Sequence, residues 1–135
     1  MKDERIAKLA SNLLNYSCKL QKGQTVIIEA SVEAKDLVKE LVRQTYEIGG
    51  YPFVRLSDGE ISREVMKGMT ETQAKKACEY TMPLFEGASA YIGISSPANK
   101  FESSDVPDEK KQIYSKRRNN YSPLIKFWWK TFCNC

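Results

Sequence analysis

The chain has 135 residues, of which 41% are apolar and 28% charged, so it can form one globular domain with one core but not two complete domains. Its net charge of +4 is unevenly spread, because residues 1–106 hold 14 basic and 15 acidic residues while residues 107–135 hold seven basic and two acidic ones. No apolar run reaches the roughly 20 residues that cross a bilayer, and charged residues follow Met1 directly, so we predict a cytoplasmic protein with no membrane partner.

The residue types needed for metal or acid–base chemistry are scarce. The sequence contains no histidine, which is the commonest catalytic base and metal ligand, so most hydrolytic mechanisms are not expected within this chain. Cysteines stand at four positions without a CxxC pair: Cys18, Cys78, Cys133 and Cys135. This pattern predicts reduced thiols.

The first elements form a helix, strand, helix, strand series. Apolar residues at helical spacing predict a helix over residues 3–21, and Gly23 follows as its stop. A β-branched run that is apolar on both faces predicts a parallel strand over residues 24–30. A helix over residues 33–48, ended by Gly49 and Gly50, and a strand over residues 51–56 then complete the length of a right-handed βαβ crossover.

The second half continues this alternation. After a turn at residues 57–59, a short helix is predicted over residues 60–67. Thr70 and Gln73 have the spacing of a capping box, so a helix is expected from there toward Glu86, shortened or kinked at Pro83. A third strand over residues 88–94, a polar loop over 95–105 and a helix over 108–118 that begins after Pro107 follow in that order. The series predicts a three-layer α/β/α domain with a mainly parallel sheet, which is Rossmann-like but lacks a dinucleotide fingerprint.

Candidate site residues are few and carry weak signals. Four carboxylates lie near predicted turns or strand ends without a spacing that marks a site: Glu29, Asp58, Glu60 and Asp105. We therefore predict no catalytic and no metal-binding residue in this chain, and its binding residues stay unknown. The turn after the first strand, Glu29-Ala30-Ser31, could present the N-terminus of the next helix to an anion. This turn lacks, however, the glycines that let a ligand approach the backbone.

The C-terminal segment contains two further patterns. Cys133 and Cys135 place two thiols close together, but a zinc site would need more ligands. The basic run 116–118 is accompanied by aromatic residues, as in sites for single-stranded nucleic acids: Tyr114, Tyr121, Phe127, Trp128 and Trp129. Since no RRM, KH or OB pattern accompanies them, a nucleic-acid partner is the less favoured interpretation.

Several segments together, in order, resemble the N-terminal domain of the thermophilic metallo-aminopeptidases. These cytoplasmic exopeptidases are also called leucyl aminopeptidases or aminopeptidases of the T and S types. The segments are 4–10 (ERIAKLA), 15–17 (NYS), 22–26 (KGQTV), 34–38 (AKDLV), 49–52 (GGYP), 90–94 (AYIGI) and 104–107 (SDVP).

The resemblance implies a much longer enzyme that releases N-terminal amino acids from peptides. In that family, a C-terminal domain carries two divalent metal ions of the zinc, cobalt or manganese type on Glu, His and Asp ligands. The resemblance places those ligands beyond Cys135, so it assigns no catalytic or metal residue here. It also implies a homodimer.

The resemblance ends after residues 121–123, and both tryptophans and two of the four cysteines lie beyond that point. We therefore predict an N-terminal α/β domain over residues 1–121 and an aberrant basic and aromatic tail over residues 122–135, out of frame through a frameshift or early stop. Such a tail is expected to pack poorly. The expected function is that of a truncated, non-catalytic portion of a metallo-aminopeptidase, inactive alone. A stand-alone α/β interaction or ligand-binding module is the alternative.

Overall fold

The computed structural model describes residues 3–95, 106–118 and 131–134. Helices alternate with strands along the chain. The α-helices are α1 (Glu4–Asn12), α2 (Lys35–Ile48), α3 (Gly59–Gly68), α4 (Glu71–Glu86) and α5 (Asp108–Ser115). The strands are β1 (Thr25–Ser31), β2 (Tyr51–Ser57), β3 (Ala90–Ser95) and β4 (Thr131–Asn134). A π-helical turn (Leu13–Ser17) follows α1, and 3-10 turns precede α2 (Val32–Ala34) and follow α5 (Lys116–Arg118).

The four strands form one parallel sheet in the order β2-β1-β3-β4. The three strands predicted from the sequence are confirmed to within two residues at each end. The strand β4 was not predicted, and its backbone pairs Thr131 with Ile92 of β3. The division of the chain at residue 121 stays a prediction.

Helices cover both faces of the sheet, as the predicted three-layer α/β/α arrangement requires. On one face, Val26, Ile28 and Ile92 pack against buried residues of α1 and α2 such as Ala10 and Leu41. On the opposite face, Ile27 and Tyr91 pack against Cys78 and Phe85 of α4. Alternate residues of β1 therefore enter two separate cores, which explains why this strand is apolar on both faces.

The first helix ends earlier than predicted. It was expected to reach residue 21, but α1 ends at Asn12 and the chain widens into the π-helical turn, where the Cys18 amide donates to the Leu13 carbonyl at 2.9 Å. Lys19 then takes a left-handed conformation with φ of 51°. Leu14 and Leu20 both stay buried through this turn, so their helical spacing reflects core packing rather than a continuous α-helix.

Other helix ends follow the prediction, except that α5 passes into a 3-10 turn after Ser115 and Pro83 does not shorten α4. Gly49 takes φ of 90° and its amide donates to the Tyr46 carbonyl, which closes α2 in the left-handed cap expected of glycine. The Thr70 hydroxyl accepts from the Gln73 amide at 3.2 Å and begins α4, which continues through Pro83 to Glu86. No helix in the described ranges is long and apolar enough to span a bilayer.

Candidate functional site

A cavity of about 220 Å³ lies at the carboxyl ends of β1 and β2. This edge of an open parallel sheet is where ligands commonly bind. The two strands, α3, α5 and the turn after α5 contribute the lining: Glu29, Ala30, Arg55, Leu56, Ser57, Ser62, Tyr114 and Arg117. We call this cavity the strand-end pocket.

Glu29 makes hydrogen bonds to two other residues at the strand-end pocket, Arg55 and Tyr91. Its Oε2 accepts from Nη1 of Arg55 at 2.6 Å, and its Oε1 accepts from the hydroxyl of Tyr91 at 2.8 Å. The sheet register brings the first pair together, because Glu29 of β1 lies directly opposite Arg55 of β2. Since both oxygens of this carboxylate already accept hydrogen bonds from protein groups, it is oriented as an anchor for Arg55.

Gly93 makes the contact between Tyr91 and Glu29 possible. Gly93 is the register partner of Glu29 on β3, and a Cβ atom at that position would lie 2.9 Å from the Tyr91 hydroxyl. A side chain at position 93 would therefore occupy the space through which Tyr91 reaches Glu29. The missing side chain of Gly93 is thus a requirement of this site.

Arg55 also lies near a buried aromatic ring, that of Phe85. Its Cζ lies 5.9 Å from the centroid of the Phe85 ring, a distance at which cation–π attraction contributes. Phe85 is only 1% exposed and packs against Tyr91 with ring centroids 5.7 Å apart. The guanidinium of Arg55 is therefore positioned by an ion pair and by a nearby buried ring.

Arg117 also lines the strand-end pocket, and a single neighbouring residue holds it in place. Its Cζ lies 3.7 Å from the centroid of the Tyr114 ring, and its Nη1 donates to the Tyr114 carbonyl at 3.0 Å. Among the described residues, no carboxylate pairs with Arg117. The strand-end pocket thus contains two guanidinium groups and one carboxylate.

Comparison with known proteins identifies the family. The sequence model of a family described as thermophilic metalloprotease (M29) matches residues 2–126. The chain belongs to the thermophilic metalloprotease (M29) family. Among solved structures, it is similar to wild-type AmpT from Thermus thermophilus, with a TM-score of 0.74 and 26% sequence identity. The similarity covers 97% of this chain and 36% of AmpT, so the chain spans about a third of that protein. No curated protein matches the chain.

This result confirms the family and the α/β fold expected from the sequence, and the match to the metalloprotease family extends past the domain boundary predicted at residue 121. Of the three candidate carboxylates within the described ranges, Glu29, Asp58 and Glu60, only Glu29 lines the strand-end pocket. Asp58 instead caps α3, where its Oδ1 accepts from the amide of Glu60 at 2.8 Å. Glu60 is exposed beside it. Asp105 lies outside the described residues.

Two neighbouring basic residues after α5, Lys116 and Arg117, contact different parts of the structure. Lys116 Nζ lies 2.7 Å from Oε1 of Glu71 on α4, whereas Arg117 lines the strand-end pocket. Lys116, through a hydrogen bond and its charge, lowers the pKa of the Glu71 carboxyl below its ordinary value. The remaining members of the predicted aromatic, basic and thiol patterns lie in segments or side chains outside the described part: Arg118, Tyr121, Phe127, Trp128, Trp129, Cys133 and Cys135.

Sequence reasoning missed the partners of Glu29. Arg55 lies in a strand predicted from its apolar residues, and Tyr91 was counted only as an apolar residue of β3. One signal was available, because each predicted strand contains a single charged residue near its end, Glu29 in the first and Arg55 in the second, and the observed register places the two opposite each other. That charged pair inside two otherwise apolar strands would have indicated a cross-strand ion pair.

The residues within the described ranges do not fit the divalent-metal site that the thermophilic metalloprotease family implies. No three Asp, Glu or Cys side chains within the described ranges come together as metal ligands would. Glu29 faces the guanidinium of Arg55, whose charge would repel a cation, and Asp58 is used as a helix cap. The strand-end pocket supplies hydrogen-bond donors and positive charge rather than a set of metal ligands.

Proposed function

We propose that this chain is the non-catalytic N-terminal portion of a metal-dependent aminopeptidase and that it has no peptidase activity alone. The observation that carries this proposal is the extent of the structural similarity to AmpT. Nearly all of this chain matches, but it corresponds to only about a third of that protein. In the full-length enzyme, two divalent ions of the zinc, cobalt or manganese type would be held by the remaining part and would activate a water for attack on the first peptide bond. Peptide substrates, a homodimer and a cytoplasmic location belong to the same proposal.

The surface of β2 supports a role as one part of a larger protein. Parallel sheets are normally covered by helices on both faces. At this edge of the sheet, however, several apolar residues are 40% to 56% exposed: Tyr51, Phe53, Val54 and Leu56. Exposed apolar residues that are contiguous on an edge strand are typical of a surface that contacts another domain or subunit.

The composition supports the absence of catalysis. A two-metal site needs several fixed ligands that hold the ions roughly 3.5–4 Å apart. The whole sequence lacks histidine, and two of the candidate carboxylates have other roles, Glu29 as an ion-pair partner and Asp58 as a helix cap. Added metal would not replace missing ligands, because scattered carboxylates do not fix the geometry of a bound water.

The test is release of free leucine from leucyl peptides by chain purified from a host that lacks its own aminopeptidases. We expect no turnover above background with added zinc, cobalt or manganese, while AmpT assayed in parallel serves as the positive control. Chelator-sensitive turnover that co-purifies with the chain would overturn the proposal.

A stand-alone ligand-binding module is the second candidate, and the strand-end pocket is the observation that favours it. The sequence of the coding DNA downstream of this chain distinguishes the two hypotheses. A metallopeptidase reading frame that continues downstream in another phase would support the truncated enzyme and the predicted frameshift. A nucleic-acid partner is less favoured, since Lys116 pairs with Glu71 and Arg117 is stacked on Tyr114.

A further inference from the structure

We propose that the strand-end pocket binds a small oxyanion, a carboxylate or a phosphate, between Arg117 and Arg55. This inference goes beyond the peptidase assignment, because it requires no catalysis and no metal. It rests on the charge balance of the pocket, on the positions of its hydrogen-bond donors and on its size.

Among the described lining residues, the charge balance leaves one positive charge for a ligand. Glu29 neutralises Arg55 through the 2.6 Å ion pair, and its second oxygen accepts from Tyr91. Arg117 lines the same cavity without a carboxylate partner among the described residues. A guanidinium group presents a planar fork of N–H donors that matches the oxygens of a carboxylate or phosphate. An anion is therefore the ligand class that this lining favours.

The donors are held in place before a ligand binds. Arg117 is fixed by stacking on Tyr114 at 3.7 Å and by its hydrogen bond to the Tyr114 carbonyl. Arg55 is fixed by Glu29 and the Phe85 ring. Side chains that are already ordered lose less conformational entropy on binding, so these two guanidinium groups are pre-organised.

A serine hydroxyl adds a neutral donor at the same edge. Ser62 and Ser57 both line the strand-end pocket, but the Ser57 hydroxyl already donates to the Ala30 carbonyl at 3.5 Å, so Ser62 is the one that can donate to a ligand. Ser31, the register partner of Ser57 on β1, is 2% exposed, and its Oγ has no hydrogen-bond partner within the described part of the chain. Buried hydroxyls are almost always hydrogen-bonded. Ser31 follows Ala30 of the lining but is not part of the lining itself, so its hydroxyl is a buried polar group near the pocket rather than one of the pocket's donors.

The size of the strand-end pocket limits the ligand to a small molecule. Pockets for drug-sized ligands measure about 300–1,000 Å³, and this cavity of about 220 Å³ lies below that range. A dinucleotide is too large for it. Inorganic phosphate or a carboxylate the size of a single acylated amino acid fits this volume.

The experiment is calorimetric titration of the full chain with inorganic phosphate and, separately, with N-acetyl-leucine, in a buffer without competing oxyanions. We expect saturable binding of at least one probe at one site per chain. Tighter binding of phosphate would identify phosphate as the source of the oxyanion, and tighter binding of N-acetyl-leucine would identify carboxylate. The absence of saturable binding for both probes would overturn the proposal.

Matched variants locate the site. Arg117→Gln is expected to weaken binding by about tenfold or more, as the loss of a charge-assisted hydrogen bond predicts. Lys116→Gln removes the same charge from the adjacent residue, which pairs with Glu71 outside the pocket, and should change affinity less than about threefold. Equal weakening by both variants would indicate non-specific attraction and contradict the proposal.

A steric variant keeps the test decisive if Arg117→Gln does not fold. Ser62→Leu fills the strand-end pocket from α3 without changing any charge, and it should abolish binding while the melting temperature of the chain shows that the fold is kept. Unchanged affinity in a folded Ser62→Leu protein would place the anion elsewhere and overturn the assignment.

Discussion

Tyr91 lies over Gly93, two residues further along the same strand, so closely that a Cβ atom at position 93 would be 2.9 Å from the Tyr91 hydroxyl. The substitution Gly93→Ala should displace that hydroxyl from Glu29, because Tyr91 is 5% exposed and has little room to move. We expect a loss of about 1–3 kcal/mol in the free energy of unfolding, as for other overpacked sites. Urea denaturation measures it.

Gly68→Ala is the matched control for this substitution. Gly68 is the last residue of α3, and nothing lies within 4 Å of a Cβ atom placed there. The free energy of unfolding of the Gly68→Ala variant should stay within about 0.5–1 kcal/mol of the wild-type value. If Gly93→Ala were equally neutral, the proposed dependence of the Tyr91–Glu29 contact on a missing side chain would be wrong.

The core between the sheet and the first two helices should be sensitive to truncation. Leu41 of α2 is fully buried in this core, whereas Ile61 of α3 is 66% exposed. Leu41→Ala removes apolar contacts and leaves a cavity, so it should lower the free energy of unfolding by about 2–5 kcal/mol. Ile61→Ala should change it by no more than about 0.5 kcal/mol. Similar losses in both variants would contradict the described packing.

The ion pair between Glu71 and Lys116 predicts a pH dependence. Because Lys116 lowers the pKa of Glu71 in the folded chain, this carboxylate stabilises the fold above the ordinary glutamate pKa. That contribution is lost as the pH falls through the lowered folded value. The effect should be small and salt-sensitive, since both side chains are largely exposed.

Carboxyl NMR titration of Glu71 checks this directly. In the Lys116→Gln variant the pKa of Glu71 should rise toward its ordinary value, and in the wild-type chain added salt should move it the same way. A Glu71 pKa that is the same in both proteins would show that the pair does not form in solution.

The sequence predicted the strands well because their signals are local. The β-branched run in β1 and the apolar residues of β3 require burial on a sheet wherever they lie in the chain. The π-helical turn after α1 was harder to predict, because it depends on the backbone hydrogen bond from the Cys18 amide to the Leu13 carbonyl. Leu14 and Leu20 meanwhile keep the burial pattern of a helix.

The strand-end pocket and β4 could not be derived from local patterns. The ion pair between Glu29 and Arg55 joins residues 26 positions apart, and it forms only once the sheet register is fixed. The strand β4 has four residues and its pairing with β3 is long-range, so no alternation long enough to predict a strand exists there. Arg117 was recognised as basic, but its place in the pocket depends on how α5 packs.

The metal content of the purified chain tests the central claim most directly. We expect that the chain, saturated with zinc and then dialysed, retains no stoichiometric metal by atomic emission, because no group of three metal ligands is found within the described ranges and the proposed function places the family's ligands in the remaining part of the enzyme. A Cys133→Ser/Cys135→Ser double variant removes the two terminal thiols as a trivial source of zinc binding. Two zinc ions retained per chain in both proteins, as a two-metal peptidase site would hold, would contradict the account.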